Sequence, residues 1–315
     1  MSELTVGFIG LGTMGGGMAL NIRKAGHDMV VFDLNKDAAK RHIDAGCVWA
    51  DSPAAVGAQC DVVFTSLPGP PEVEAVATGP NGLISGMKQG SVWFDMSTNS
   101  PTLMRRLNAE FAAKGIDVLD SPVSGGPAGA NSGKLAIWVG GNQETFDQQK
   151  ELLDCMGDQV AYIGPVGAGS VAKLVHNCAG YAVQTALAEV FTMGVKAGVP
   201  PVPLWEAIRQ GAGGRRRTFD SLSGAFMANK FEPPSFQLRL AHKDVRLATE
   251  LGKEMGVPMR LSNMALEELT EAMNRGWAGM DSRVAMLLQE ERAGVHIEVP
   301  QAELDAAIKR AEQAG

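Results

Sequence analysis

The chain of 315 residues is 45% hydrophobic and 20% charged, with a formal net charge of −7. That length suggests two domains of a globular protein, and the acidic balance excludes a nucleic-acid partner, which would need a basic face. Four cysteines without a CxxC pair and five scattered histidines offer neither a disulfide framework nor a metal site, and no apolar run reaches the ~18 residues of a membrane span.

The first apolar run, residues 4–9, begins almost at Met1 and leaves no room for a signal peptide. A cytoplasmic location with reduced thiols is therefore expected. The run ends in Gly10-Leu11-Gly12-Thr13-Met14-Gly15, a G-x-G-x-x-G that opens a helical stretch over residues 14–25. Only glycine can turn this tightly and let the backbone meet a pyrophosphate, whose charge the helix N-terminus favours. A second strand, residues 28–32, ends at Asp33, 18 residues past Gly15, where an acid hydrogen-bonds the adenine ribose hydroxyls. Strand, glycine turn, helix, strand and acid in that order indicate a dinucleotide site rather than a glycine-rich turn that binds nothing. The Asp33 carboxylate would repel the extra phosphate of NADP, and no Arg follows among Leu34, Asn35 and Lys36. NAD is thus favoured over NADP, with Lys36 the residue that argues the other way.

Further strands are expected at residues 61–66, 91–95, 117–119 and 135–139, with helices between them such as 71–77 and 101–114. This alternation predicts a parallel, doubly wound sheet, and it fades after about Ile163. Within residues 120–141, Ser124-Gly125-Gly126 offers one hydroxyl and successive unhindered amides, equipment suited to a carboxylate. The residues alone fit a simple turn between two strands equally well.

Residues 167–197 contain no proline and carry Ala, Val and Leu at helical spacing, which predicts one helix of about 30 residues and some 45 Å. Its small residues, Ala172, Ala179, Ala182 and Ala186, would admit close helix neighbours. Lys173 and Asn177 share one face at i and i+4. A lysine on so apolar a helix either snorkels to water or is buried with a lowered pKa for proton exchange, and the spacing leaves both open. His176 points to another face and reads as structural. Residues 204–210, 238–255, 263–276 and 281–291 are helix-like, and 298–312 reads as a solvated terminal helix. Arg215-Arg216-Arg217 is a solvated loop or an anion site, and Lys243-Asp244 reads as a surface ion pair. The expected architecture is an α/β N-terminal Rossmann domain, residues 1–164, joined by a long central helix to an all-α C-terminal domain, residues 165–315.

Taken in order, GFIGLGTMG, DSPVSGGPAGANSGKL, GAGSVAKLVHN and HKDVRLA resemble the dinucleotide, substrate-binding, catalytic and distal cofactor signatures of the β-hydroxyacid dehydrogenases. That family includes 3-hydroxyisobutyrate dehydrogenase and tartronate semialdehyde reductase. TSLPGPPEVE and DMSTNSP are similar to its loops around the cofactor, and the resemblance extends to about Val295. It implies hydride transfer between NAD(P) and a small hydroxyacid or semialdehyde, without a metal. Lys173 would be the catalytic acid/base, Asn177 would hold the substrate near it, and Ser124, Gly125 and Gly126 would bind its carboxylate. Phe236 would close the cleft. Gly10, Leu11, Gly12, Met14, Gly15 and Asp33 would follow the dinucleotide, and Leu67, Pro68, Thr98 and Lys243 would line its nicotinamide side. Relatives with such a helix form homodimers or homotetramers. The chain departs from the family at Ser121, commonly Ala, at Trp138, commonly Met, and at Gly213 to Arg217, commonly small and polar. One of these arginines is a candidate partner for a second acidic group on the substrate, a carboxylate, sulfonate or phosphate. The alternatives are an imine reductase-like enzyme, whose members usually lack the lysine, and a non-catalytic NAD(P)-binding module.

Overall fold

A computed structural model describes residues 4–215, 220–223, 225–294 and 296–314; at some helical positions from Cys178 onward it describes the backbone alone. Nine strands form one sheet: β1 Thr5–Ile9, β2 Asp28–Phe32, β3 Val48–Trp49, β4 Val62–Thr65, β5 Val92–Asp95, β6 Asp117–Asp120, β7 Val123–Ser124, β8 Leu135–Gly140 and β9 Gly157–Gly164. Their order is β3-β2-β1-β4-β5-β6-β8-β7, with β9 also on β8. The first six strands run parallel, as expected for a doubly wound sheet, while β8 runs antiparallel to β6 and β7. From β1 the chain winds one way to β3, then returns to β4 on the other side of β1. This reversal opens a crevice at the carboxyl ends of β1 and β4, the usual place for a ligand on such a sheet.

Burial on both faces explains why the strands read as continuous apolar runs. On one face Phe8, Phe64 and Phe94 are register partners and stack, with ring centroids 6.1 and 5.1 Å apart. On the other, Ile9, Val63 and Trp93 pack against helices that contribute Val56, Val73 and Leu107. β3 is too short to carry a pattern. β9 carries three polar or small residues among its first four and alternates exposed with partly buried positions, so its sequence shows no apolar run. Helix Gln143–Asp154, capped by the Asn142 side chain, likewise buries a narrow stripe in a polar sequence.

Helix Ala168–Lys196 has the length the sequence predicts. The chain divides into two compact units, Met1–Cys178 and Ala179–Gly315, with the cut inside this helix. In the second unit, Phe226, Phe231, Leu238, Ala272, Val284 and Leu288 form a core around helices Leu238–Glu254 and Arg260–Asn274. The stretch expected as one helix near residues 281–291 is a 3-10 turn, Ser282–Met286, followed by helix Leu287–Ala293. Among the described residues no strand follows β9, and no helix is long and apolar enough to cross a membrane.

Candidate active site

The crevice at the sheet's switch point is a cavity of about 680 Å³ lined by Gly10, Gly12, Met14, Gly15, Asp33, Leu67 and Pro68, among others. These residues come from the loops after β1, β2 and β4, so the fold brings together most of the predicted cofactor set. Gly10 has φ +92, and a Cβ there would overlap the Ser66 carbonyl; the tight turn requires glycine. A Cβ at Gly15 would overlap the Gly10 carbonyl and lie 3.0 Å from the Phe8 ring and Ser66. At Gly12, by contrast, none of the described residues has an atom within 4 Å of an added Cβ. This open backbone stands before helix Gly15–Lys24, whose N-terminus has no side-chain cap. Such a cradle fits a pyrophosphate. The Asp33 carboxylate accepts N–H bonds from Leu11 and from Asn35, both at 2.7 Å, and so ties the glycine turn to the end of β2.

A buried network organises the loops after β4 and β5. The Asp95 carboxylate, fully enclosed, accepts from Thr65 Oγ1 at 2.9 Å, from the Ser97 amide at 3.2 Å and from Asn99 Nδ2 at 2.9 Å. Trp93 donates its indole N–H to Thr65 Oγ1, and Ser97 Oγ accepts the Leu67 amide at 2.9 Å. Ser97 and Asn99 are thereby buried while Thr98 between them is exposed. The network thus couples the two predicted nicotinamide loops, Leu67-Pro68 and Thr98. Burial pushes the Asp95 pKa up against the opposing pull of these donors.

Lys173 lies on the second turn of helix Ala168–Lys196, half-buried, with Nζ donating to the Val123 carbonyl at 2.6 Å. Its partner belongs to the residue just before Ser124. Burial lowers the lysine's pKa below its ordinary value. Ser124 ends β7, Gly125 turns the chain with φ +134, and Gly126 begins a short helix, Gly126–Ser132. The segment is therefore a strand-to-helix turn, with Gly125 and Gly126 exposed just after the strand whose Val123 carbonyl holds Lys173. Asn177 is one turn beyond Lys173, partly buried, with Oδ1 3.2 Å from His176 Nδ1. His176 packs against Trp138, ring centroids 5.1 Å apart, which gives the unusual tryptophan a packing role. Phe236 belongs to the second unit and is 44% exposed; its loop is held by Asp281, which accepts from the Ser235 amide and hydroxyl at 2.9 and 2.7 Å and pairs with Arg283. The side chain of Lys243, and Arg216 and Arg217, lie outside the described residues. Arg215 ends the short helix Ala212–Arg215 and is exposed.

Residues 5–164 match the family described as the NAD binding domain of 6-phosphogluconate dehydrogenase. Residues 167–288 match that described as NAD-binding of NADP-dependent 3-hydroxyisobutyrate dehydrogenase. The 2-(hydroxymethyl)glutarate dehydrogenase of Eubacterium barkeri is 34% identical over 94% of this chain and 98% of its own. The mitochondrial 3-hydroxyisobutyrate dehydrogenase of Homo sapiens is 33% identical over 92% of this chain and 88% of its own. The chain belongs to the β-hydroxyacid dehydrogenase family. As a β-hydroxyacid dehydrogenase it is an oxidoreductase acting on CH–OH groups, with NAD(P)-binding domains. The Mycobacterium tuberculosis 3-hydroxyisobutyrate dehydrogenase structure with L-serine is similar at TM-score 0.64 and 29% identity, over 91% of this chain and 99% of that one. An imine reductase from Bacillus cereus, at TM-score 0.76 but 16% identity, shares the fold alone.

Several groups in this β-hydroxyacid dehydrogenase site were not singled out from the sequence. Asp51 and Glu72 line the same cavity as Asp33, and neither stands in a spacing that marks it. Asp95, Ser97 and Asn99 lie within DMSTNSP, and only the fold shows that they hold Leu67, thirty residues upstream of Ser97.

Proposed function

We propose that the enzyme moves a hydride between NAD and a small acid of the form HO–CH2–CHR–COO⁻, with Lys173 as acid/base. The observation that carries this reading is the half-buried Lys173, its ammonium 2.6 Å from the Val123 carbonyl and its pKa lowered by burial, beside Ser124 and the exposed Gly125-Gly126 turn. The bound nicotinamide supplies or accepts the hydride. Lys173 takes the hydroxyl proton during oxidation and returns it to the alkoxide during reduction. Its positive charge also stabilises the developing alkoxide. Ser124, Gly125 and Gly126 hold the carboxylate, Asn177 orients the hydroxyl near Lys173, and Phe236 closes over the substrate. Gly10, Leu11, Gly12, Met14, Gly15 and Asp33 hold the dinucleotide, with Leu67, Pro68, Thr98 and Lys243 toward the nicotinamide. In this division of labour residues 1–164 bind the cofactor, and residues 165–315 complete the substrate cleft and the contacts between subunits.

The substrate class rests on three compounds named with the relatives: 3-hydroxyisobutyrate, 2-(hydroxymethyl)glutarate and L-serine. All share the HO–CH2–CH–COO⁻ unit and differ in R. In 2-(hydroxymethyl)glutarate R ends in a second carboxylate, which agrees with Arg215 and its neighbours as readers of a distal anion. Preference for NAD is supported by Asp33, Asp51 and Glu72 around the cavity, where none of the described lining residues is Lys or Arg. Lys36 instead places its ammonium over the Trp49 ring, 5.3 Å from the centroid. A homo-oligomer is supported by Val183, Leu187 and Val190, which expose 40, 54 and 36% of their surface at helical spacing. The free thiols of Cys47, Cys60 and Cys155 agree with a cytoplasmic location.

The test follows NADH and NADPH absorbance with 3-hydroxyisobutyrate, 2-(hydroxymethyl)glutarate and serine. Lys173→Ala should lower turnover at least about a hundredfold, the lower end for general acid–base work, with NAD affinity retained. Turnover close to wild type in that variant would remove Lys173 from the mechanism. Imine reduction without alcohol oxidation would move the chemistry to carbon–nitrogen bonds.

A further inference from the structure

We infer that Asp120, which neither the sequence pattern nor the relatives assign a task, is the positioning residue that sets Lys173 against the substrate-binding turn. The inference rests on the reading of Lys173 as acid/base. β6 ends at Asp120, and this side chain is 1% exposed. Each carboxylate oxygen takes one backbone N–H from the start of the lysine-bearing helix: Oδ1 from Gly167 and Oδ2 from Ser170, both at 2.6 Å. The first N–H groups of a helix have no partner within it, and an anion there also complements the helix dipole.

The helix start also meets the sheet backbone to backbone. A Cβ on Gly169 would overlap the Trp138 carbonyl and lie 2.6 Å from the Asp120 carbonyl oxygen. A Cβ on Gly140 would lie 2.8 Å from the Gly169 nitrogen. One turn further along, Lys173 reaches the Val123 carbonyl. Residues 120–124 therefore grip the helix twice, at its first amides and at its lysine, and the same segment ends in Ser124. Asp120 thus fixes in one register the group that moves the proton and the turn that holds the carboxylate. Proton transfer is steep in distance, and a displacement of about 1 Å can lower a rate a hundredfold.

Asp120→Asn keeps the shape but turns one acceptor into a donor facing an N–H. Its expected signature is kcat lowered ten- to a hundredfold, KM changed less than kcat, and NADH affinity within twofold of wild type. A role confined to folding would not respect the identity of residue 173, so the variant is also made in the Lys173→Ala background. There Asp120→Asn should lower the residual turnover no further, because the group it positions is gone. Wild-type kcat in Asp120→Asn, or an equal loss in both backgrounds, overturns the inference. Should Asp120→Asn not fold, Gly169→Ala displaces the same junction and should show the same split between kcat and NADH affinity; unchanged kcat there is equally fatal. Wild-type turnover in Lys173→Ala alone defeats the acid–base reading and the inference with it, whereas loss there beside full kcat in Asp120→Asn defeats only the inference.

Discussion

Two glycines three residues apart should fail in opposite ways. At Gly12 a methyl meets none of the described residues within 4 Å, and φ is outside the left-handed region, so the apo protein should accept alanine. Replacing glycine at a compatible position stabilises by about 0.4–1 kcal/mol through the unfolded chain. In the proposed binding mode, however, the open space is where the pyrophosphate approaches the backbone. A methyl there separates the phosphates from the amides and removes one or two hydrogen bonds to a charged group, each about 1.5–3 kcal/mol. A loss of about 2–4 kcal/mol corresponds to roughly 30- to 1,000-fold in affinity. At Gly15 the methyl overlaps the Gly10 carbonyl and crowds Phe8 and Ser66. Overpacking of that kind costs about 1–3 kcal/mol of stability. Thermal unfolding of the apo protein and titration with NADH by fluorescence separate the two. Gly12→Ala should match or exceed the wild-type Tm and bind NADH weakly, while Gly15→Ala should melt earlier. If Gly12→Ala bound NADH as tightly as wild type, the dinucleotide would not lie against this turn and the assignment of the cavity would be wrong.

Other expectations follow from single groups. Ser121 is wholly buried and its hydroxyl has no hydrogen-bond partner among the described residues, so Ser121→Ala should leave stability unchanged or raise it by about 1 kcal/mol in urea unfolding, and a clear loss would reveal an unseen partner. Asp95→Ala strands the Thr65 hydroxyl, the Ser97 amide and the Asn99 amide group; at about 1–3 kcal/mol for each orphaned donor, it should lower urea stability by at least about 3 kcal/mol, with Asp95→Asn milder. Because burial lowers the Lys173 pKa, more of it is neutral near pH 7 than for a free lysine. In the proposed mechanism alcohol oxidation needs the neutral amine, so it should rise with pH and level off before the ordinary lysine pKa of about 10.4, while reduction should fall across the same interval. A limb at or above that ordinary value in kcat/KM would show that Lys173 is solvated during turnover.

The legible parts of this chain were those whose information is local. Gly10, Gly12, Gly15 and Asp33 form a pattern because a turn, a helix start and a strand end each impose a residue type at a fixed offset. The long helix was legible because its apolar spacing is uninterrupted. β9 and helix Gln143–Asp154 were not, since each buries only a narrow stripe in a polar sequence. Lys173 illustrates the boundary between the two. Spacing could not decide between a snorkelling and a buried lysine, because the deciding partner, the Val123 carbonyl, is 50 residues away in sequence. The Asp95 and Asp120 networks were hidden for the same reason: an aspartate at a strand end looks alike whether it faces water or gathers amides from a distant loop.

Those aspartates have a common logic. Asp33 follows β2, Asp95 ends β5 and Asp120 ends β6, all at the carboxyl edge of the parallel sheet. Each uses its oxygens on groups of a loop that the proposed chemistry needs: Asp33 on the Leu11 amide of the glycine turn, Asp95 on Ser97 and Asn99 around Thr98, Asp120 on the amides that begin the lysine-bearing helix. Loops are otherwise the least constrained part of such a fold. Anchoring them to strand ends transfers the rigidity of the sheet to groups that must be placed within a fraction of an ångström. The three anchors serve different steps, so their loss should be separable. Asp33→Ala should act on cofactor affinity and Asp120→Asn on kcat. Asp95→Asn should weaken the productive placement of the nicotinamide, lowering hydride transfer more than NADH affinity. A primary isotope effect with deuterated NADH distinguishes them in semialdehyde reduction: it should grow in Asp95→Asn as hydride transfer becomes limiting, and stay near the wild-type value in Asp33→Ala at saturating NADH. An unchanged effect in Asp95→Asn would reduce that network to a folding device.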